Sequence, residues 1–538
     1  MNKQMIHLLF LVNMFFLFAC DQASNSVVAS SNSVLRKGNG PEPQTLDPHK
    51  AEGVPASNIL RDLYEGLLSE APDGQQAPGV AHHLKISADG KIYTFFLRKT
   101  ARWSNGDPLT AQDFVYSLRR SIDPATGSSY SQVLSSIVNV EASIAGKLPV
   151  ETLGVKALSA HTLQIILKAA TPYFLSLLTH STTYPVHRAT VEAWQGHFSR
   201  PDRLVSNGAY TLADWVVQSH ITLEKNQQYW DAQHTRIDRV IYFAIDDTSQ
   251  ELQRFWANQI DWTESIPVGQ VDWVRKKFGD QLNISPYLGT YYYGLNVTRP
   301  PFKAQPGLRR ALWLAIDRDT IVKKITAAGE LPAYSWVPPG VMHYQAQPTV
   351  DLNWSVQQRL REAKKLYQQA GYSTETPLKL ELLYNTSENH KRIALAIAAM
   401  WKDALGVETE LINEEWKVFL DHRKQTDQTQ VIRGGWIADF NDAWSFAELL
   451  QSNNAMNNTG YANSQYDQLL SAASVESNLD KRQRLLQQAE RILLEDVPII
   501  PIFFYVSKSL IKPRIKGVEG NVMDHHYTKN LLIEQKIH

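Results

Sequence analysis

The sequence predicts a mixed fold, α/β or α+β, built from several lobes. Three observations carry this expectation. At roughly 150 residues to a domain, a chain of 538 residues holds more than one compact unit. Its 43% apolar and 20% charged residues are those of an ordinary globular chain and exclude disordered, collagen-like and polytopic membrane chains. Segments with strand-type alternation and segments with helix-type periodicity follow one another along the body, with no internal repeat and no low-complexity block beyond one short tether. Basic and acidic residues balance at 54 each, so no global field draws nucleic acid. The 14 tryptophans and 22 tyrosines suit both core packing and wet binding surfaces.

The elements follow in chain order. Lys3 precedes an apolar run, Met5 to Ala19, which is short for a spanning helix and typical of a signal-peptide core. It ends Leu17-Phe18-Ala19-Cys20, and Cys20 is the only cysteine. This resembles the bacterial lipobox, although Phe18 is bulky for its place. Residues 1–19 are therefore expected to be a signal peptide and Cys20 the lipidated mature N-terminus. Residues 20–33, rich in Ser and Asn, read as a flexible tether. Asp21 after the cysteine resembles an inner-membrane retention signal, which implies a periplasmic protein anchored to that membrane. No internal disulfide can form, so a large core must hold the fold.

In the body, Lys91 to Arg98 reads as a strand. A turn at Asn105-Gly106 leads to a helix capped near Thr110, with Asp113 in its first turn. Ser355 caps a helix with Val356, Leu360, Ala363, Tyr367 and Ala370 on one stripe, closed by Gly371. Pro377 to Tyr384 alternates as a strand, with Leu378, Leu380 and Leu382 on one face. Helices are expected over about 391–405, and from about Asp480 to a stop near Pro498.

Motifs for chemistry are missing. There is no phosphate-binding G-x-x-x-x-G-K-[ST] or G-x-G-x-x-G, no H-E-x-x-H, no cysteine pair and no G-x-S-x-G. The pairs His82–His83 and His525–His526 lack ligand spacing and read as surface residues. Asp246–Asp247 reads as an ordinary loop pair. No metal or cofactor is expected, and an enzyme is disfavoured.

One stretch is highly particular: Trp103-Ser-Asn-Gly-Asp-Pro-Leu-Thr-Ala-Gln-Asp-Phe-Val-Tyr116. It resembles the signature of the extracellular solute-binding proteins of the peptide/nickel class, the receptors of ABC importers. Ordered matches accompany it: Thr45-Leu-Asp-Pro48, Glu65-Gly-Leu67, Asn207-Gly-Ala-Tyr210, Asn226-Gln-Gln-Tyr-Trp230 and Ala315-Ile-Asp-Arg318. Leu288 to Tyr293, Leu383 to His390 and Glu415-Trp416 are similar to the oligopeptide-binding and murein-peptide-binding branch. The resemblance covers residues 34 to 538. It implies a two-lobed periplasmic-binding-protein clamp (type II, cluster C) with an inserted domain. Lobe I would comprise 31–64, 189–290 and 507–538, the inserted domain 65–188, and lobe III 291–506. It further implies a monomer that closes on an oligopeptide, performs no reaction on it, and delivers it to the permease subunits of an ABC transporter.

A receptor tolerant of sequence must grip what all peptides share, the backbone and the charged ends. The segment Ile432 to Asp439 fits, and its Gly434-Gly435 pair would let another backbone approach. By similarity, Gly435, Trp436 and Ile437 offer backbone and ring, and Asp439 accepts the peptide α-ammonium. Glu52 and Val54 match the facing segment, and Tyr130, Tyr292, Trp416 and Tyr505 match aromatic pocket positions. His390, Arg423 and Arg433 match cations for the peptide carboxylate or the pocket contents. Three departures stand out. Gly294 replaces an acid expected to charge a side-chain pocket, Gly289 and Ile437 replace a cysteine pair, and Glu264 takes a tyrosine pocket position. A murein tripeptide receptor, a peptide hydrolase and a nickel or haem receptor are the rival readings.

Overall fold

The structure is a computed structural model that describes residues 33–534. The expected signal peptide, residues 1–19, and Cys20 lie outside the described residues. Three main sheets organise the chain. The first is four-stranded: Val34–Gly38 pairs in parallel with Arg239–Phe243, which continues antiparallel to His220–Lys225 and Tyr210–Val216. The second is an antiparallel sheet of Ala81–Ile86, Ile92–Leu97, Thr162–Ile166 and Val155–Ser159. The third is six-stranded and mixed, in the order Leu331–Pro332, Ile499–Leu510, Leu282–Leu295, Val431–Ile437, Lys379–Asn385, Glu408–Glu414. This is the two-lobed α/β clamp that the resemblance implied.

Local chemistry explains why the elements form where expected. Thr110 and Asp113 make a reciprocal capping box at the start of Ala111–Ile122. Ser355 and Gln358 do the same for Val356–Gln369. That helix buries Ala363 and Tyr367 of the expected stripe, and only its first turn departs from it. Val356 is exposed, while Arg359 is buried with its guanidinium on the Trp354 carbonyl. Lys379–Asn385 and Glu408–Glu414 run parallel, so they need a crossover. Glu388–Leu405 supplies it, burying Ile393, Ala394, Ile397, Trp401 and Leu405 along one side. Leu479–Asp496 is capped by Asn478, just before the expected start.

The motifs that carried the family resemblance prove to be joints between distant segments. Asp47 holds Arg120 through two hydrogen bonds of 2.9 and 2.6 Å. Glu65 accepts from Tyr229 Oη at 2.5 Å and Trp230 Nε1 at 2.6 Å, while its backbone exchanges hydrogen bonds with the Asn207 amide. Arg318 is wholly buried and donates to the Pro501 and Trp313 carbonyls. A contiguous apolar core reaches from Leu35 through Phe95 and Leu163 to Leu382 and Ile500.

Two long strands, Leu282–Leu295 and Ile499–Leu510, cross the molecule antiparallel to each other. At one end Leu510 exchanges hydrogen bonds with Thr263, next to Trp262, which bridges to Lys37 of the first sheet. At the other end they are central strands of the six-stranded sheet. The expected lobe limits at 290/291 and 506/507 fall inside these continuous strands. Their register slips between Pro286 and Thr290, beside a cavity lined by Tyr287, Tyr291 and Tyr505. No helix among the described residues is long and apolar enough to cross a membrane.

Candidate functional site

The site is built on the strand Val431–Ile437. One edge pairs with Leu282–Leu295 along its whole length. The other edge pairs with Lys379–Asn385 only at Val431 and Ile432. From Arg433 to Ile437 that second edge has no strand beside it among the described residues, and it opens on a cavity of about 370 Å³. An unpaired edge lining a cavity can accept an extended chain as an added strand.

Within the sheet the glycine pair also makes room for neighbouring side chains. A Cβ at Gly434 would lie 2.2 Å from the Tyr292 ring, and one at Gly435 would lie 2.5 Å from Tyr505 Oη. The missing side chains make room for aromatic rings of the neighbouring strands. Gly289 and Ile437 are cross-strand partners, and a Cβ at Gly289 would meet Ile437 Cδ1 at 2.4 Å. The isoleucine thus fills the space between the two positions.

All thirteen residues expected to bind peptide line this one cavity. Asp439 follows the open edge, its backbone N–H held by Ser445 Oγ at 2.9 Å. Its Oδ1 lies 3.4 Å from His180 Nε2, and its Oδ2 is buried with no partner among the described residues. Arg433, on the same strand, donates to Tyr505 Oη at 2.8 Å and lies 4.7 Å from the Tyr291 ring centre. It meets no carboxylate among the described residues. Trp436 anchors its indole N–H on the Ser445 carbonyl at 2.7 Å and stacks on Tyr130, with ring centres 6.5 Å apart.

The facing wall starts at Gly53, the residue before the helix Val54–Leu63. Its φ of 84° suits glycine, and a Cβ there would come within 2.8 Å of the Trp416 ring. Glu52 is buried and clasps Arg423 and Lys424, each at 2.6 Å, with Ser129 Oγ at 2.8 Å. Burial pushes its carboxyl up, but the two cations outweigh this and hold it below the usual range. Nearby, Lys417 pairs with Glu42 at 2.5 Å.

Several expectations need correction. His390 is not a cation: burial and the adjacent Arg433 guanidinium hold its imidazole far below its ordinary range. It lines the cavity as a neutral ring, with Nδ1 lacking a partner among the described residues. His525 and His526 are not surface residues. Both line the cavity, His525 on Glu70 at 2.7 Å and His526 on Asp524 at 3.0 Å. His82 and His83 are exposed as expected. Gly294 is not among the lining residues, and a Cβ there would face Thr459 at 3.2 Å. Asp247 caps the helix Thr248–Trp256, whereas Asp246 lines the cavity. The sequence reading missed Lys37, Arg61, His180 and Asp524, which also line it. No local pattern marks them, since each reaches the cavity through packing of distant segments.

The electrostatics point to a bound guest. Asp439 Oδ2, Arg433 Nε, Arg423 Nε, Trp416 Nε1 and His390 Nδ1 are all buried without a partner among the described residues. Buried polar groups are ordinarily satisfied, and each orphan costs about 1–3 kcal/mol. Acceptor and donors gathered round one cavity are those that would meet an ammonium, a carboxylate and a peptide backbone.

The family model of the bacterial extracellular solute-binding proteins, family 5, middle region, matches residues 75–458. The chain belongs to this family. It is 42% identical over 519 residues to the periplasmic oligopeptide-binding protein OppA of Escherichia coli, covering 96% of this chain and 95% of that protein. The structure of the E. coli murein tripeptide binding protein MppA superposes with a TM-score of 0.91 at 39% identity, covering 94% of this chain and 99% of that one. The Haemophilus influenzae OppA complex with RPPGFSPFR gives 0.91 at 37% identity, with coverage of 94% and 99%. The unliganded open form of MppA gives only 0.66 at 39% identity, with coverage of 95% and 99%. The described conformation of this family 5 chain therefore matches the peptide complex and departs from the open form.

Proposed function

We propose that this chain is a periplasmic receptor that closes on oligopeptides and hands them to an ABC transporter permease, held at the inner membrane by a lipid on Cys20. It binds as a monomer and leaves the peptide intact. The observation that carries the reading is the open strand edge Arg433–Ile437. Beyond one end lies a carboxylate, Asp439, whose Oδ2 has no partner among the described residues, and at the other a guanidinium, Arg433, that meets no carboxylate among them. The edge pairs with the peptide backbone, Asp439 takes the α-ammonium, and Arg433 meets the α-carboxylate. Six residues of extended chain place the two groups about 20 Å apart at most. Their inward-reaching side chains shorten the gap to that of a short free peptide.

The lobes divide as 31–64, 189–290 and 507–538; 65–188; and 291–506. The two crossing strands act as the hinge. Glu52, Val54, Tyr130, Tyr292, Trp416, Tyr505 and neutral His390 wall the side-chain space, and Arg423 ties the closed lobes through Glu52. The names of the relatives, oligopeptide-binding and murein tripeptide binding, support a peptide ligand. A thermal-unfolding scan against a library of di- to hexapeptides tests the reading. Peptide at a hundredfold excess over Kd should stabilise by about 2.7 kcal/mol, and mass spectrometry should recover it uncleaved. No shift with any peptide would refute the receptor, and cleavage would favour the hydrolase.

A further inference from the structure

Trp256 closes the helix Thr248–Trp256, and Trp273 lies in the first turn of Val271–Phe278. They are 50% and 43% exposed, and their ring centres are 5.7 Å apart. Both pack edge-on against Phe278, which in turn meets the buried ring of Phe255. The pair thus rests on a small apolar core on its inner side and meets water on its outer side. A single exposed aromatic ring is ordinary. Trp194, the other largely exposed tryptophan, is of that kind, with the Arg203 guanidinium 4.2 Å from its ring centre. Two exposed rings in contact form a patch, and neither of them lines the peptide cavity.

Cations flank the patch. The Lys277 ammonium lies 4.6 Å from the Trp256 ring centre, and Lys276 beside it is exposed. On the Phe255 side the Lys512 ammonium lies 4.0 Å from that ring centre. None of the three lysines makes an ion pair with a described residue. The acids nearby are largely taken: Asp272 pairs with Arg275 at 2.9 Å, and Asp261 is shared by Arg36 and Arg514 at 3.0 and 2.6 Å. Asp280, exposed two residues past Phe278, is left against three lysines. The surplus is positive, so its counter-charge comes from outside the chain.

Arg36 also places this face. It lies three residues from Ser33, the first described residue, and its carbonyl accepts from the Asp261 N–H at 2.7 Å, five residues after Trp256. From Ser33 back to Cys20 is 13 residues, at most about 45 Å of extended chain.

We propose that this face rests on an anionic phospholipid bilayer, with the two tryptophan rings at headgroup level and the lysines on the phosphates. The inference rests on the reading that a lipid on Cys20 anchors the chain, and it adds which side of the protein meets the membrane. Tryptophan suits that depth because its ring is apolar and its N–H polar. Lysines gain there from the negative surface potential. The contact need not be tight. A short tether holds it at an effective concentration near millimolar, so a partition too weak to recruit a free protein still orients a tethered one.

Quenching by lipid decides it. The purified chain is mixed at millimolar lipid with phosphatidylethanolamine and phosphatidylglycerol vesicles whose acyl chains are brominated near the headgroup, and its emission is compared with that in unbrominated vesicles. Residues 1–33 contain no tryptophan, so the anchor itself adds no signal. Two of the 14 tryptophans, roughly one seventh of the emission, should be quenched. Trp256→Phe with Trp273→Phe should remove that loss. Lys276→Glu with Lys277→Glu keeps both rings and should reduce it, since each cation near an anionic surface is worth roughly fivefold in partition. Brominated phosphatidylcholine should quench less for the same reason. An unchanged unfolding midpoint reports that each variant is folded. Equal quenching in the wild type and the double tryptophan variant, or none in either, overturns the proposal; quenching that appears only with the permease present would give the face to a protein instead. The intact mass reads the lipid on Cys20 separately. A chain without it that is still quenched keeps the face and loses the anchor, a lipidated chain that is not quenched keeps the anchor and loses the face, and a chain with neither loses both.

Discussion

Asp439→Asn should be the most damaging single change to peptide affinity. The structure sets the terms. The Asp439 side chain is 9% exposed, and among the described residues Oδ2 has no partner and Oδ1 has only His180 at 3.4 Å. The desolvation of this carboxylate is therefore already built into the closed form, and the peptide ammonium recovers it. An ammonium cannot enter such a site uncompensated. Removing one member of a buried ion pair costs about 3–5 kcal/mol, or roughly two to three and a half decades in Kd. Asparagine keeps the shape, and the Ser445 hydrogen bond goes to the backbone N–H, so the fold should survive with an unchanged unfolding midpoint. Calorimetry on wild type and variant, with a free and an N-acetylated tripeptide, separates the contributions. The acetylated peptide should bind the wild type as weakly as the free peptide binds the variant. Equal affinity of the wild type for both peptides would refute the assignment of Asp439.

Other changes test the frame. Asp47→Ala strands Arg120, whose side chain is 12% exposed, and should cost about 3–5 kcal/mol in denaturant unfolding. Burial raises the Asp47 carboxyl, but the Arg120 hydrogen bonds and charge bring it below its ordinary range. Its contribution is thus present above the ordinary aspartate pKa and fades as pH falls through the depressed value, a loss that pH-dependent unfolding should show in the wild type and not in the variant. Gly434→Ala drives a methyl into the Tyr292 ring, 2.2 Å away, and should destabilise by about 1–3 kcal/mol, visible as a lower melting temperature. Cys20→Ser should leave the signal uncut or release the protein from membranes, as fractionation and mass spectrometry would show; unchanged processing and membrane association would refute the lipobox.

The sequence by itself determined what depends on near neighbours. Ser355 with Gln358 and Thr110 with Asp113 announce helix starts, because a cap is satisfied within three residues. The apolar alternation of Leu380 and Leu382 marks a strand because side chains of a strand alternate between its faces. The family signature was legible too, yet its residues are scaffold: Glu65 ties Tyr229 and Trp230, and Asp47 ties Arg120. The tertiary structure alone decided the charge states and the company each site residue keeps. His390 looks like a cation in one dimension, but burial beside Arg433 makes it neutral. Neighbours His525 and His526 carry no ligand spacing, but distant Glu70 and local Asp524 draw them into the cavity wall. Gly434 and Gly435 announce closeness without saying to what, and the rings of Tyr292 and Tyr505 are the answer. Lys37 and Glu264 lie 227 positions apart, so nothing local could show that they face one cavity. Desolvation and Coulomb interaction depend on distance in space, and chain order records distance only over a turn of helix or the width of a hairpin.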